Sequence, residues 1–435
     1  MVKEILLTLF YLFFFNFLIY RFTRFQFRNF KPVITHIIFN LKFLVGILIW
    51  CIYTFYYKGV QNNDVHKFYT DALVLRNVAN ENPQAFITLL YKNDAALSEY
   101  TAPMKNWVRN FDEAPFNENQ TIIRLNAVLM FVSLKTYFVH ILFFCFLSLI
   151  GWLLLTNSIL SFTDEKNSIL ALPVLLLPSV LFWTSGVMKE PLLVLGLGLL
   201  ISGILDFGFR NTDLKTGVKI LIGFLVILLT KFFVLACLLP AVVAFLLFPK
   251  NENPVFVWSK YLVVTVVMLL VAFNIHSLVP RINLLQMLVN KQTNSIKEAE
   301  YFKAGSRIEI PALKNNVVSI LKTAVLGIWN TLFRPYVWET KNVMMLMSAA
   351  ENIIVLTFLI GFISASNWSD PKNINLFLLL TTFSLSYFAL VGMCTPVLGN
   401  LVRYRTPLLP IFLFAFIIKV SPKAVADSLS FVLRK

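Results

Sequence analysis

The chain has 435 residues, is 58% hydrophobic with 43 phenylalanines, and carries a formal net charge of +16. A mean hydropathy of +0.75 excludes a soluble globular domain and points to an all-α, polytopic membrane protein. The basic residues lie mostly between apolar runs, as in cytoplasmic loops, so no nucleic-acid partner is expected. Cys51, Cys145, Cys237 and Cys394 form no CxxC pair, and His36, His66, His140 and His276 form no HExxH, so neither a disulfide framework nor a zinc site is indicated.

The first apolar run, Ile5 to Tyr20, has no small-residue cleavage site after it and reads as a retained helix. Arg21 to Lys31 carries four positive charges and no acid, which assigns it to the cytoplasm. Leu41 to Tyr57 leads outward to a first extracytoplasmic loop, residues 59–136, in which Thr121 to Val132 reads as an interfacial helix. Phe138 to Asn157 returns. Ile169–Phe182 and Leu192–Phe207 then form a helical hairpin around the polar turn of PSVLFWTSGVMKEPLL, Pro178 to Leu193, whose mouth faces a membrane surface. Val218 to Phe248 is too long for one span and carries Lys231 and Pro240, so it divides into two short helices meeting near Lys231.

Tyr261 to Ile275 leads out again to a second loop, residues 276–343. There Val317, Leu321, Ala324, Val325, Ile328 and Leu332 recur at helical spacing, with Ser319, Lys322, Thr323 and Asn330 opposite, which predicts another interfacial helix. Leu346–Ile363, Ile374–Val391 and Pro407–Ile418 complete about eleven spans. The C-terminal tail, with Lys419, Lys423, Arg434 and Lys435, falls inside.

Charges within these runs mark the candidate site. Lys and Glu each cost roughly 2.5–3.5 kcal/mol at the centre of a membrane helix, so Lys189 and Glu190 call for a reason. The bland one is a snorkelling lysine and a helix-capping glutamate; the sharper one is a phosphate partner and a base. Trp183 and Ser185 stand beside them in the turn. In NNDVHKFYTDA, Asn62 to Ala72, Asp64 lies just beyond the second helix with His66, Tyr69 and Asp71 near it. A carboxylate there can take a proton from an acceptor hydroxyl, or be an ordinary loop acid. Arg334, Arg403 and Arg405 suit either lipid headgroups or a phosphate clamp.

Taken together, the acidic loop, FWTSGVMKE, RPYVWE, MSAAENIIVL and GNLVRYRTPLLP resemble bacterial polytopic membrane glycosyltransferases of the GT-C type. They are also similar to the repeat-unit polymerases of surface-polysaccharide pathways. The resemblance implies a GT-C-like fold, a polyprenyl-phosphate-linked sugar donor, and an acceptor glycan, lipid or protein, with membrane lipids around them. It implies a bacterial inner membrane, with chemistry facing the periplasm or exterior. Asp64 would be the base; Arg403 and Arg405, with Lys189, would hold the lipid phosphate; Glu190 would orient Lys189 or bind sugar hydroxyls. The chain departs from the pattern in two ways: the acidic loop follows the second apolar run rather than the first, and no paired-acid motif stands at Asp64. A polymerase would need a second outer cationic cluster, for which Arg334 and Arg281 are candidates. A transporter or flippase would show an inverted repeat and polar residues through the membrane depth.

Overall fold

A computed structural model describes residues 2–28, 30–57, 63–108, 117–163, 165–209, 213–247, 253–279, 283–368 and 370–422. The described chain is 81% helix and contains no strand. Helix α1 is Val2–Arg21. Helix α2, Pro32–Cys51, runs on through a π-helical turn, Ile52–Tyr56. Helices α3 (Asp64–Glu81), α4 (Pro83–Tyr91) and α5 (Glu118–Ser133) follow. Next come α6 (Tyr137–Leu160), α7 (Lys189–Phe209), α8 (Leu214–Leu246) and α9 (Pro254–Leu278). The order closes with α10 (Leu284–Tyr301), α11 (Val317–Phe333), α12 (Val343–Ala365), α13 (Ile374–Cys394), α14 (Leu398–Arg405) and α15 (Leu409–Ile417).

Most starts have one cause. Asn63, Asn82, Asn117, Asn253, Asn283, Asn316 and Asn342 each accept a backbone N–H from the first turn that follows, and Asp213 does so for α8. Each cap satisfies a donor that the helix leaves unpaired.

Among the described residues, eight helices are long and apolar enough to cross a membrane: α1, α2 with its π turn, α6, α7, α8, α9, α12 and α13. Two expected spans fall short of that length. The stretch Ile169–Phe182 is broken into a 3-10 turn and two helices, Ala171–Leu175 and Pro178–Trp183. Pro173 and Pro178 explain the breaks, because each removes a backbone donor and clashes with the preceding turn. The stretch Pro407–Ile418 yields only the nine residues of α15. Helix α2 begins at Pro32 rather than Leu41, as polar residues in its first turns find partners. Asn40 Nδ2 donates to Asn16 Oδ1 at 3.0 Å, and His36 Nδ1 lies 2.9 Å from the same oxygen.

The expected division of α8 is present. Lys231 has non-helical φ/ψ of −155° and 78° inside its 33 residues. A straight helix would put Phe245 about 47 Å beyond Leu214. Yet the Phe245 ring lies 5.2 Å from Phe209, five residues before that start. The helix therefore turns back on itself at Lys231.

The chain forms two compact units. The first holds Met1–Asn157, Leu181–Ile201 and Val218–Phe232. Its core is built on α6 and α7, whose backbones touch: a Cβ on Gly198 would sit 2.2 Å from Gly151 O. Outside these spans α3 packs on α5, burying Phe68, Ala72 and Leu75 along with Ile122, Ile123 and Met130. The second unit holds Ser158–Val180, Ser202–Gly217 and Phe233–Lys435. Its centre is α13, packed against α9, α10, α11 and α15. Helix α11 meets α13 at Gly327 and Gly392, where a Cβ on Gly392 would lie 2.0 Å from Gly327 O. The inner face of α11 is Ile320, Thr323, Gly327, Asn330 and Thr331, and its outer face is Val318, Leu321, Val325 and Trp329. Of the polar residues expected on the water-facing side, Thr323 and Asn330 are thus buried against the unit, while Lys322 is exposed among the apolar side chains.

Candidate functional site

In the first unit, two candidate regions come together. Val65 and Met188 pack in one cluster with Ile49, which brings their chain neighbours Asp64 and Lys189 into one neighbourhood. The Lys189 ammonium lies 5.2 Å from the centre of the Phe68 ring, one helical turn beyond Asp64. Asp64 occupies the first turn of α3, where its charge suits the helix dipole, and it forms an ion pair with Lys67. Its side chain is 27% exposed. Lys189 sits at the positive end of the α7 dipole, an unfavourable place for a cation. It is offset by Asn119 Oδ1 at 2.7 Å and by the Glu118 carboxylate at 3.5 Å, both from the start of α5. Glu190 is fully buried, with Lys231 Nζ 3.4 Å away at the α8 reversal.

The neighbours of Asp64 serve as anchors. His66 is buried with Nε2 3.0 Å from Thr54 Oγ1, and burial lowers its pKa. The Tyr69 hydroxyl donates to Lys135 O at 2.5 Å, and burial pushes the phenol up to about 12. Asp71 is buried and accepts the Asn106 N–H at 2.7 Å. Desolvation raises its pKa, opposed by the bonds from Asn106 and Lys105.

The turn after Trp183 lies inside the unit. Residues 184–190 are all buried, with Trp183 half-buried at the edge. The backbone is not helical there, so its carbonyls need partners. Lys42 Nζ donates to Thr184 O at 2.8 Å and Thr184 Oγ1 at 2.6 Å. Ser148 Oγ also donates to Thr184 O, at 2.7 Å, and Cys145 Sγ to Ser185 O at 3.2 Å. The Ser185 hydroxyl donates to Leu181 O. Helix α2 can approach this turn because Gly46 has no side chain: a Cβ there would be 2.6 Å from Ser185 O.

The second unit holds the arginines. Arg405 is fully buried. Its Nη1 donates to Thr331 O and Leu332 O, both at 3.2 Å, and to Arg334 O at 3.4 Å. Its Nη2 donates to Asn352 Oδ1 at 2.5 Å and lies 3.6 Å from Glu351 Oε1. Arg405 thus closes the C-terminal end of α11, where free carbonyls carry partial negative charge. The Glu351 carboxylate also accepts the Ser179 N–H at 2.5 Å and Oγ–H at 2.6 Å. Arg403 is 8% exposed. The Arg334 side chain is engaged by Glu339, with Nε 2.9 Å and 3.2 Å from the two carboxylate oxygens.

Lys42, Glu118, Asn119, Glu351 and Asn352 were not among the sequence candidates. The signal for Lys42 and Glu351 is the one that singles out Lys189, a charge inside an apolar run. Nothing local marks Glu118 and Asn119, which matter through a partner about 70 residues away. Among the described residues, no group of three or more His, Cys, Asp or Glu side chains is placed to hold a metal ion. Arg281 and the tail beyond 422 lie outside the described residues.

In comparisons with known proteins, no family model, no curated protein and no solved structure matches the chain.

Proposed function

We propose that this chain is a multi-pass membrane glycosyltransferase of GT-C-like architecture. It moves a sugar from a polyprenyl-phosphate-linked donor to an acceptor hydroxyl on the non-cytoplasmic face of a bacterial inner membrane. The observation that supports the reading is that Val65 and Met188 share one buried cluster, which puts their chain neighbours Asp64 and Lys189, 125 positions apart in sequence, in one neighbourhood. One is a carboxylate about a quarter exposed, and the other an ammonium at the end of a spanning helix.

In this reaction the acceptor oxygen bonds to the anomeric carbon as the bond from that carbon to the phosphate oxygen breaks. Asp64 takes the acceptor proton. The electron pair leaves on the lipid phosphate, where Lys189 offsets the growing charge. Glu118 and Asn119 hold Lys189 at its post, and Glu190 with Lys231 fixes the helix start that carries it.

The test is sugar transfer from a synthetic polyprenyl-phosphate hexose by membranes with matched amounts of wild type, Asp64→Asn or Lys189→Ala. Loss of product in D64N by about 100-fold or more, and a raised donor KM in K189A, are expected. Unchanged transfer in D64N would refute the assignment.

A second reading has its own support. A helix broken at Lys231 beside a buried Glu190–Lys231 pair is also how transporters build substrate and ion sites. A flippase would move a fluorescent lipid-linked saccharide across vesicles intact, would lose that activity in Glu190→Gln, and would tolerate D64N.

A further inference from the structure

The segment from Trp329 to Glu339 in the second unit combines exposed aromatic rings with a neutralised charge pair. The Tyr336 and Trp338 rings are stacked, 4.9 Å apart and inclined by 21°. Trp338 is 82% exposed and Trp329 53%. The Trp329 indole N–H donates to the Tyr336 hydroxyl at 2.6 Å, and Trp329 also packs on Phe333 with 4.6 Å between centres. The Arg334 guanidinium lies 5.6 Å from the centre of the Tyr336 ring. Glu339 pairs with Arg334 and accepts the Tyr336 N–H at 3.0 Å.

Three features bear on what would sit here. The rings are held to each other, so an exposed flat face is preorganised and ligand binding costs little side-chain entropy. The Arg334 charge is cancelled by Glu339, which removes the reason for an anion to prefer this place. Both partners of the pair remain partly exposed, at 21% and 17%, and so can offer donors and acceptors to a ligand at the edge of the rings. A flat apolar face flanked by neutral, two-way hydrogen-bonding capacity matches a sugar ring, which has C–H faces and a hydroxyl rim. Aromatics that serve only as membrane anchors direct their N–H to headgroups, whereas the Trp329 N–H is taken by the neighbouring Tyr336 hydroxyl.

We infer that Trp338, stacked on Tyr336 beside the Arg334–Glu339 pair, is a binding platform for an uncharged saccharide unit, separate from the Asp64–Lys189 site. It gives Arg334 a part in holding hydroxyls in place of a phosphate. The inference stands on binding alone and does not require the transferase reading.

The test uses the full-length protein in lipid nanodiscs and an array of neutral and acidic glycans. Trp338→Ala and Glu339→Gln are compared with Trp368→Ala, a partly exposed tryptophan elsewhere in the same unit. Retention of neutral glycans, weakened at least tenfold by W338A and E339Q and unchanged by W368A, is expected. No glycan retained, or retention equal in W338A, would overturn the inference. Brominated lipids report the competing occupant. If they quench the part of the tryptophan emission that W338A removes, and glycans do not protect it, the ring is a membrane anchor and the inference fails. Enzymatic transfer is measured separately, so a lost platform with intact turnover, or the reverse, separates the two proposals.

Discussion

Replacing Glu351 by Gln isolates one charge in the core of the second unit. The amide keeps one oxygen for the Ser179 N–H, and the Ser179 hydroxyl can turn to accept from its NH2, so the main loss is the charge opposite Arg405, which is fully buried. Removing one member of a buried ion pair costs about 3–5 kcal/mol, because the other is left uncompensated. Arg405 retains its carbonyl bonds to Thr331 and Leu332, which places the expected loss at the low end, about 3 kcal/mol. For a unit of this size that lowers the unfolding midpoint by about 6–12 °C. Tryptophan fluorescence or a thiol-reactive dye on the detergent-purified protein reads the midpoint. Arg405→Gln and the double variant complete a cycle. The double should be more stable than the sum of the singles by about 2 kcal/mol, since neither charge is then stranded. A midpoint in E351Q within about 2 °C of wild type, or strict additivity, would show that the pair contributes no such stability.

Other outcomes follow from single contacts. Burial lowers the folded-state pKa of His66 while the unfolded chain keeps the usual value near 6.5, so the unfolded state binds more protons below that pH. Stability contributed by neutral His66 is therefore full above about pH 6.5 and falls as the pH drops toward the lowered value; a midpoint-against-pH curve should flatten in His66→Gln, and an unchanged slope would refute this. Gly392→Ala drives a methyl into Gly327 O, backbone against backbone, and should cost about 1–3 kcal/mol in the thermal midpoint; a neutral result would mean that α11 and α13 do not touch there. Lys42→Met removes two bonds to Thr184 and should loosen the buried turn. Read on a variant whose only cysteine is Cys145, reaction with a membrane-permeant maleimide should rise several-fold, and equal labelling would remove Lys42 from that support.

Much of the helical architecture is legible in the order of residues. Asparagine before a helix is a local signal, and it marks seven starts here with the side chain on the expected N–H. The interruption at Lys231 is legible too, as a charge in a run too long for one crossing. Apolar composition alone misjudges Ile169–Phe182, because hydropathy does not register the prolines that break it. The α2 start is misplaced for the opposite reason: His36 and Asn40 lower the hydropathy of a stretch that their contact with Asn16 makes stable. Lys189 and Glu190 stand out in the sequence as costly, but the partners that offset them come from α5 and α8, far along the chain. Arg405 shows the same limit. Its charge is visible, whereas the carbonyls of Thr331 and Leu332 that receive it exist as acceptors only because α11 ends there.

The reversal at Lys231 has a consequence for parity. A 33-residue apolar segment is ordinarily counted as one passage that carries the chain to the other compartment. Here both ends of α8 come to the level of Phe209, so the segment begins and ends on one side. Counting the segment as one crossing assigns it a passage that the Phe209–Phe245 contact does not allow. The two halves are joined by a single non-helical residue and have no loop to separate them. They must therefore enter the bilayer as a pair, and each residue added at that point would turn the facing of the returning half by about 100° without changing which side the chain returns to.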